Sequence, residues 1–491
     1  MARYRLGEHT VWLRRIAYLC ERLRRNPVAH WSLLFVVLAA TVALHNNNAN
    51  PYSRYATLMA FAEDHDFAVD AYRNTTCDWA HTPDGRYYSN KAPGPTLLAL
   101  PFYLPMDAIV VAQAKDRKER DARRLEARSA LLDYLAVGLQ AIPFALLVMF
   151  AANVLAARGV SRPAIELCAL AMLFGNTASL LMNMYYGHGM AALLTLGLAF
   201  ALLGRHLVLA GLLFGLNVLS DYGSALFLPI LVAMVLVPSG RDWKTGLARL
   251  SRFALGGLGP LLVFAAYHAY CFGGPLTLPN KYQNPVFVDA GGHALWGVLS
   301  YLPNPHIVYA LLFGPRRGLL VTQPWVLLLI GLLILWAWRR RAWTAQRLAA
   351  ARIVLPLALG GLFVLFVMNA SFGGWHGGVC PGPRYLSAVL PLLGFALGLS
   401  YDAFPKPARI ALWLSVLPAI ALFMIIWAGD VATWPQQEIW RRCKDTLLAS
   451  ADVKTRLRLA WMVFAFAATA VVAVLRARWA SRGVKASGER V

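Results

Sequence analysis

The polar side chains of this chain gather in a few short clusters. Residues 54–91 carry Arg54, Glu63, Asp64, Asp66, Asp70, Asp78, Asp84, Arg86 and Lys91. Further along come Tyr185-Tyr186-Gly187-His188-Gly189, Asp221, and Asn280-Lys281-Tyr282-Gln283-Asn284-Pro285. Gly314-Pro315-Arg316-Arg317-Gly318, Trp375-His376-Gly377-Gly378 and Gly382-Pro383-Arg384-Tyr385 complete the set. Arg54, Lys91, Arg316, Arg317 and Arg384 suit a phosphate group, arginine as a planar fork and lysine as a point charge. The aspartates are suited to taking a proton from a hydroxyl nucleophile. Each cation also has a plain reading as an anchor at a membrane surface.

The elements that must position these residues are apolar. Of 491 residues, 58 % are hydrophobic and 14 % charged, against roughly 45–50 % and about 25 % in a soluble domain. Many runs approach the roughly 20 apolar residues that cross a bilayer core. The pattern predicts an all-α polytopic membrane protein and excludes a soluble enzyme, a disordered chain and a single-anchor receptor. Hydropathy marks twelve spans, at 28–45, 130–156, 164–183, 190–204, 206–219, 222–238, 253–271, 318–338, 353–369, 386–401, 410–428 and 459–475.

Basic residues orient the spans with both termini in the cytoplasm. The inner set is Arg14, Arg15, Arg22, Arg24 and Arg25, then Arg158 and Arg162, then Arg241, Lys244, Arg249 and Arg252. Arg339, Arg340, Arg341, Arg347, Arg352, Lys406, Arg409, Arg478, Arg482 and Lys485 follow. This placement accounts for the net charge of +23 without a nucleic-acid partner. Residues 1–27 form a basic cytoplasmic segment whose amphipathic helix, Val11–Arg25, suits anionic membrane lipid. Residues 28–475 form the membrane domain, with outer loops 46–129, 272–317 and 429–458, and 476–491 is a basic cytoplasmic tail. Pro95–Ala112 is apolar enough to count as a span, yet counting it would reverse everything downstream. The segment 95–128 is therefore expected as a helix in the outer interface, its charged half in water. A loop as long as 46–129 is functional or disordered as a rule, and its aromatic and Pro/Gly content argues against disorder. The six cysteines show no C-x-x-C spacing, so no metal or redox motif is present.

In this register every polar cluster falls on the outer side, although other residues fixed the register. Charged groups at one membrane face are by default a functional site. A transporter is expected to place polar groups near the midplane, which here is close to uniformly apolar. The expected site is an outward cavity beside lipid, moving a group from a phosphate-bearing lipid to a hydroxyl or amine.

At the first outer loop the chain resembles the GT-C class of membrane glycosyltransferases. The likeness is to the branch holding protein O-mannosyltransferases and the lipid A aminoarabinose transferase. It rests on Ser53-Arg54-Tyr55-Ala56, Phe67-Ala68-Val69-Asp70 and Gly85-Arg86-Tyr87-Tyr88-Ser89-Asn90-Lys91-Ala92-Pro93-Gly94. The chain also resembles bacterial membrane proteins with a Trp-x-Gly-Gly…Gly-Pro-Arg-Tyr segment. The resemblance implies a GT-C-type fold with a large first periplasmic loop of interfacial helices. It implies a polyprenyl-phosphate-linked sugar as donor and an aspartate of the first loop as general base. The chain departs from the family where it reads Asn50-Pro51-Tyr52-Ser53-Arg54, with no acidic pair before the arginine. Asp70 is then the first candidate base and Asp78 the second.

The remaining assignments follow from the same reading. Arg54, Lys91, Arg384, Arg316 and Arg317 hold the donor phosphate, and His188, Asp221, Tyr88, Tyr282, Trp375 and His376 line the substrate. His188 and Asp221 have ordinary readings at helix ends, and the aromatics as interface anchors. Cys77 and Cys380 both lie outside, where a pairing is open. A divalent ion on the substrate phosphate is compatible with this chemistry, but no dedicated ligand set is present and no tightly bound cofactor is expected. The expected protein is a multi-pass glycosyltransferase of the bacterial cytoplasmic membrane, surrounded by membrane lipids, with a lipid, glycan or protein as acceptor. The rival readings are a transporter or flippase of a lipid-linked glycan and a non-catalytic membrane subunit.

Overall fold

The computed structural model describes residues 25–42, 48–240, 242–287, 299–300, 302–336, 343–378, 380, 382–429, 438–448 and 453–488. The predicted helix Val11–Arg25 lies outside them apart from Arg25. Arg241, Arg339, Arg340 and Arg341 also lie outside, as do residues 430–437 and 449–452 of the last predicted outer loop.

In chain order the helices are α1 (Ala29–Thr41), α2 (Ala49–Asp64), α3 (Gly94–Val111), α4 (Arg117–Ala156), α5 (Arg162–Leu173) and α6 (Thr177–Asn183). There follow α7 (Gly187–Leu203), α8 (Leu207–Ser220), α9 (Tyr222–Leu236), α10 (Trp243–Phe272) and α11 (Pro305–Leu312). The last are α12 (Pro324–Trp336), α13 (Ala345–Ala370), α14 (Arg384–Ala403), α15 (Lys406–Ala428), α16 (Ile439–Leu448) and α17 (Val453–Gly488). One antiparallel hairpin, β1 (Trp79–His81) with β2 (Tyr87–Ser89), interrupts them.

This is an all-α membrane architecture. Among the described residues, seven helices are long and apolar enough to cross a membrane, or eight if α5 and α6 count as one broken span. Six of the predicted spans fall in such helices, and 164–183 is the broken pair, bent by 52°. The other five coincide with shorter apolar helices, α1, α7, α8, α9 and α12. The 13 residues of α1 rise only about 20 Å, less than the roughly 30 Å of a bilayer core. At the bend between α5 and α6, side chains bond three of the backbone carbonyls. Asn176 donates to the carbonyls of Ala171 (2.8 Å) and Met172 (2.7 Å), and Trp325 Nε1 donates to Gly175 O (2.7 Å). Side chains take over the helix bonds that the break removes, as a buried kink requires.

The expected single helix over 95–128 divides in two. The chain breaks at residues 112–116, where Asp116 Oδ1 accepts from Glu119 N–H (2.8 Å) and Glu119 reaches back to Lys115 N–H (2.8 Å). This reciprocal cap starts a new helix. That helix, α4, runs on for 40 residues, about 60 Å, with its charged half continuous with the predicted span 130–156. A π turn at Val137–Ala141 lies within that span. The other product, α3, itself has the length and hydropathy of a crossing helix.

The first predicted outer loop is thus built of α2, the hairpin, α3 and the start of α4, around a core of its own. Tyr55, Leu58, Met59, Tyr103, Leu131 and Leu132 pack there. A charge network ties its helices together: Arg124, 2 % exposed, bonds Asp107 through Nε (2.8 Å) and Nη2 (2.9 Å), and Glu63 through Nη1 (2.6 Å). Arg120 also grips Glu63, and Arg117 forks onto Asp64 (2.8 Å to each oxygen). Glu63 is only 8 % exposed at its side chain, because these two arginines of α4, Arg120 and Arg124, close over it. Elsewhere α8 and α10 meet at backbone distance. A Cβ on Gly211 would overlap the Phe253 carbonyl and one on Gly256 the Val208 carbonyl.

Candidate functional site

The site forms where α2, the hairpin exit, the starts of α7 and α14, and the end of α8 converge. Arg54 lies on the first turns of α2 and is 3 % exposed. Its Nη1 donates to Ala92 O (3.1 Å), while its buried Nε has no hydrogen-bond partner. Burial pushes this guanidinium below its ordinary pKa, while Tyr185, Tyr222, Asp221 and Asp78 act the other way. The N-terminus of α7 is pressed against it, so closely that a Cβ on Gly187 would stand 2.5 Å from Arg54 Nη2. A cation held at the positive end of a helix is unfavourable unless an anion joins them.

Lys91 enters from the hairpin exit. Its Nζ lies 2.9 Å from Asp78 Oδ1, and its backbone N–H donates to Ser89 Oγ (3.2 Å). Ser53 Oγ, on α2, meets both Ser89 Oγ (2.6 Å) and Asp78 O (2.5 Å). The turn carrying Lys91 is thereby fixed to the helix carrying Arg54. Burial pushes the Lys91 ammonium down and Asp78 holds it up, with Arg384 and Arg54 also within electrostatic reach.

Arg384 opens α14. Its Nη2 donates to Tyr385 Oη (3.1 Å), and its guanidinium stands over the rings of Tyr385 (5.0 Å) and Tyr186 (5.8 Å). Its Nε is also buried without a partner. Among the described residues, neither Arg54 nor Arg384 forms an ion pair. The buried hydroxyl of Tyr186 between them has no hydrogen-bond partner either.

His188 and Asp221 form a direct pair, Nδ1 to Oδ2 at 2.7 Å. The second carboxylate oxygen accepts from Gly223 N–H (3.1 Å). Arg384 and Arg54 are both electrostatic neighbours of His188, and Tyr385 meets its ring edge-on at 5.3 Å. The pairing follows from topology. The antiparallel helices α7 and α8, joined by the tight turn at Gly204–His206, return the end of one to the start of the other.

The structure therefore gathers Arg54, Lys91, Arg384, Asp78, His188 and Asp221. Other expected site residues stand apart. Asp70 is 46 % exposed at its side chain, accepts from Tyr87 N–H (3.1 Å) and sits 3.7 Å from Arg86. Its first-ranked place as base does not fit this setting, because a short surface helix presents it to water. Arg317 is a structural clamp, its Nη1 on Cys380 O (2.5 Å) and Nη2 on Gly378 O (2.6 Å). Arg316 beside it is exposed. Tyr88 is buried in a small core with Tyr267 and Phe272, and Tyr282 packs on the same core. Trp375 packs on Ile307, Leu311 and Ala370, and His376 Nδ1 accepts from Gly378 N–H (3.0 Å). Cys77 and Cys380 form no disulfide; Cys77 is exposed and Cys380 is buried at the Arg317 clamp. Among the described residues, no group of three or more His, Cys, Asp or Glu side chains is arranged to hold a metal ion.

Sequence reasoning missed Tyr186 as a site residue, and missed that His188 and Asp221 are partners. The signal for both lay in the lengths of α7 and α8. Fold and site together define a multi-pass helical membrane protein with a buried cationic site at one end of its bundle. Compared with known proteins, the chain matches no family model and no curated protein.

Proposed function

We propose that the chain is an integral-membrane glycosyltransferase of the GT-C kind, with about twelve spans and both termini in the cytoplasm of a bacterial cell. In this reading it takes a sugar from a polyprenyl-phosphate donor at the periplasmic face and passes it to a lipid, glycan or protein acceptor. The observation that carries the reading is the pair of guanidiniums, Arg54 and Arg384, each with a buried Nε that has no hydrogen-bond partner and, among the described residues, no carboxylate in ion-pair contact. With Lys91 they set three cations against Asp78 and Asp221, so the cluster holds an excess of positive charge. A buried charge without a counter-charge is costly, and a lipid phosphate removes that cost.

The reaction is a displacement at the anomeric carbon. As the bond from carbon to phosphate oxygen breaks, the leaving group gains a second negative charge. Arg54, Arg384 and Lys91 are already oriented toward such charge, and this preorganisation is worth most in a shielded site. The membrane holds the prenyl chain and the outer loop holds the acceptor, so positioning lowers the barrier further. Asp78, within the cluster, replaces Asp70 as the carboxylate with access to the reacting groups.

A thermal-shift titration with polyprenyl phosphate, beside the matching prenyl alcohol, tests this. Ligand at 100 times its dissociation constant stabilises the folded state by about 2.7 kcal/mol. Stabilisation that requires the phosphate and disappears in Lys91→Ala supports the reading; equal effects of phosphate and alcohol remove its basis. The bent pair α5–α6 is the feature that favours a transporter. Its turn atoms, however, are satisfied by Asn176 and Trp325, leaving the break closed rather than lining a polar path.

A further inference from the structure

We infer that His188 Nε2 is the proton acceptor of the site, with Asp221 as the positioning residue that holds the ring. This inference rests on the phosphate-site reading above and names a group within it. Asp221 Oδ2 at 2.7 Å accepts a hydrogen bond from the ring, so the proton of the neutral imidazole sits on Nδ1. Gly223 N–H fixes the other carboxylate oxygen, so Asp221 cannot rotate away without losing that bond. The lone pair on Nε2 is then free of the Asp221 bond, as in a serine–histidine–aspartate arrangement where the carboxylate orients the base. Both side chains are mostly buried, at 13 % and 18 % exposed.

The alternative base is less well prepared. Asp78 is already engaged by the Lys91 ammonium at 2.9 Å, and taking a proton would break that pair. The groups facing His188 are Asp221 at the end of α8, Arg384 and Tyr385 at the start of α14, Arg54 on α2, and Tyr186 just before α7. The reacting groups would thus meet with a base on one side and phosphate-binding cations on the other.

The step balances as follows. The acceptor hydroxyl gives its proton to His188 Nε2 as its oxygen bonds to the anomeric carbon. The bond from that carbon to the phosphate oxygen breaks, its electron pair stays on the phosphate, and the phosphate goes from one negative charge to two. His188 ends as an imidazolium stabilised by Asp221, and it releases its proton to water after the product leaves.

The product state therefore couples a phosphate dianion to a protonated histidine, and that coupling is measurable without knowing the sugar. The probe is a short prenyl phosphate, titrated calorimetrically into the full-length protein at pH 8 in buffers of different ionisation enthalpy. Its methyl diester, which has the donor's single charge, is the comparison. The wild type is expected to take up roughly one proton per phosphate bound, and less with the diester. His188→Gln is expected to bind the phosphate with that uptake abolished. In Asp221→Asn the uptake is expected to persist but move to lower pH, a change that loss of packing alone does not produce. Equal uptake in wild type and His188→Gln overturns the inference while leaving the phosphate site standing. Absence of phosphate-dependent binding in the wild type overturns the phosphate reading, and this inference with it.

Discussion

The two ends of α14 carry arginine clusters of opposite character. At the Asp402 end the side chains of Arg347 and Arg409 are supplied with acceptors. Arg347 Nη1 pairs with Asp402 Oδ2 at 3.1 Å, and its other nitrogens donate to the carbonyls of Arg158 and Gly159. Ser161 donates to Asp402 through both N–H (2.9 Å) and Oγ (2.5 Å), and Arg409 donates to the carbonyls of Phe404 and Asp402 at 2.7 Å each. At the Arg384 end, Arg384 and Arg54 each bury a donor with nothing to receive it. Arginine is common to both ends, so residue type does not separate anchor from site. What separates them is whether the protein itself completes the bonding. A saturated cluster holds helices together, whereas the unsaturated one is where the proposed phosphate would find its donors.

The largest expected effect breaks the saturated end. Arg347→Ala strips Asp402 of its counter-charge and should cost about 3 kcal/mol, read as a fall in thermal midpoint. The phosphate-dependent shift should survive. Loss of that shift would mean the two ends are not independent. At the unsaturated end, Arg54→Gln and Arg384→Gln should each remove most of the roughly 2.7 kcal/mol gained from saturating prenyl phosphate. Their apo midpoints should stay level or rise, because an unmatched buried charge has gone. A fall of several degrees in the apo protein would make these arginines structural and erase the contrast.

A third test turns on acid. Hydrogen bonds from Arg120 and Arg124 hold the Glu63 carboxyl down to about 2, against burial that acts upward, from an ordinary value of 4.5. The depressed pKa means that its stabilisation is complete above about pH 4.5 and is lost as pH falls toward 2. Thermal midpoints of the wild type should therefore drop across that window, and Glu63→Gln should start lower and drop less. A parallel fall in both proteins would locate the acid-sensitive group elsewhere. The smallest effect is expected at Asp70→Asn, whose exposed carboxylate should be worth within about 0.5 kcal/mol and leave phosphate binding intact. Loss of binding there would restore Asp70 to the site.

Much of the fold was legible in the sequence because hydropathy records burial in lipid directly. Each of the twelve predicted spans coincides with an apolar helix. The break before Asp116 was misread, since an apolar run and a charged run can share one helix or meet at a cap, and composition does not distinguish them. Of the site, the cations Arg54, Lys91 and Arg384 were found as a class. Arg317 was wrongly grouped with them, because its carbonyl partners, Cys380 and Gly378, lie more than sixty positions away. That Asp70 is the more exposed carboxylate and Asp78 the buried one was hidden for a similar reason. Exposure depends on which face of the hairpin the rest of the chain covers, and that is a tertiary property.

The long helical run of α4, with its one π turn at Val137–Ala141, gives its residue count the role of a phase. Arg124 and Gln140 lie on one rod, the first in the clamp on Glu63 and Asp107, the second donating to Tyr186 O at 3.3 Å. Because each residue turns an α-helix by about 100°, one residue added between them would swing the clamp by little more than a quarter turn, enough to take it off Glu63 and Asp107. Within α4 the wider π turn at Val137–Ala141 is the place where such an insertion is absorbed, so the strict spacing is the α-helical run from Arg124 to Ala136. That run is timed like the teeth between two gears, and its length should tolerate substitution far better than insertion.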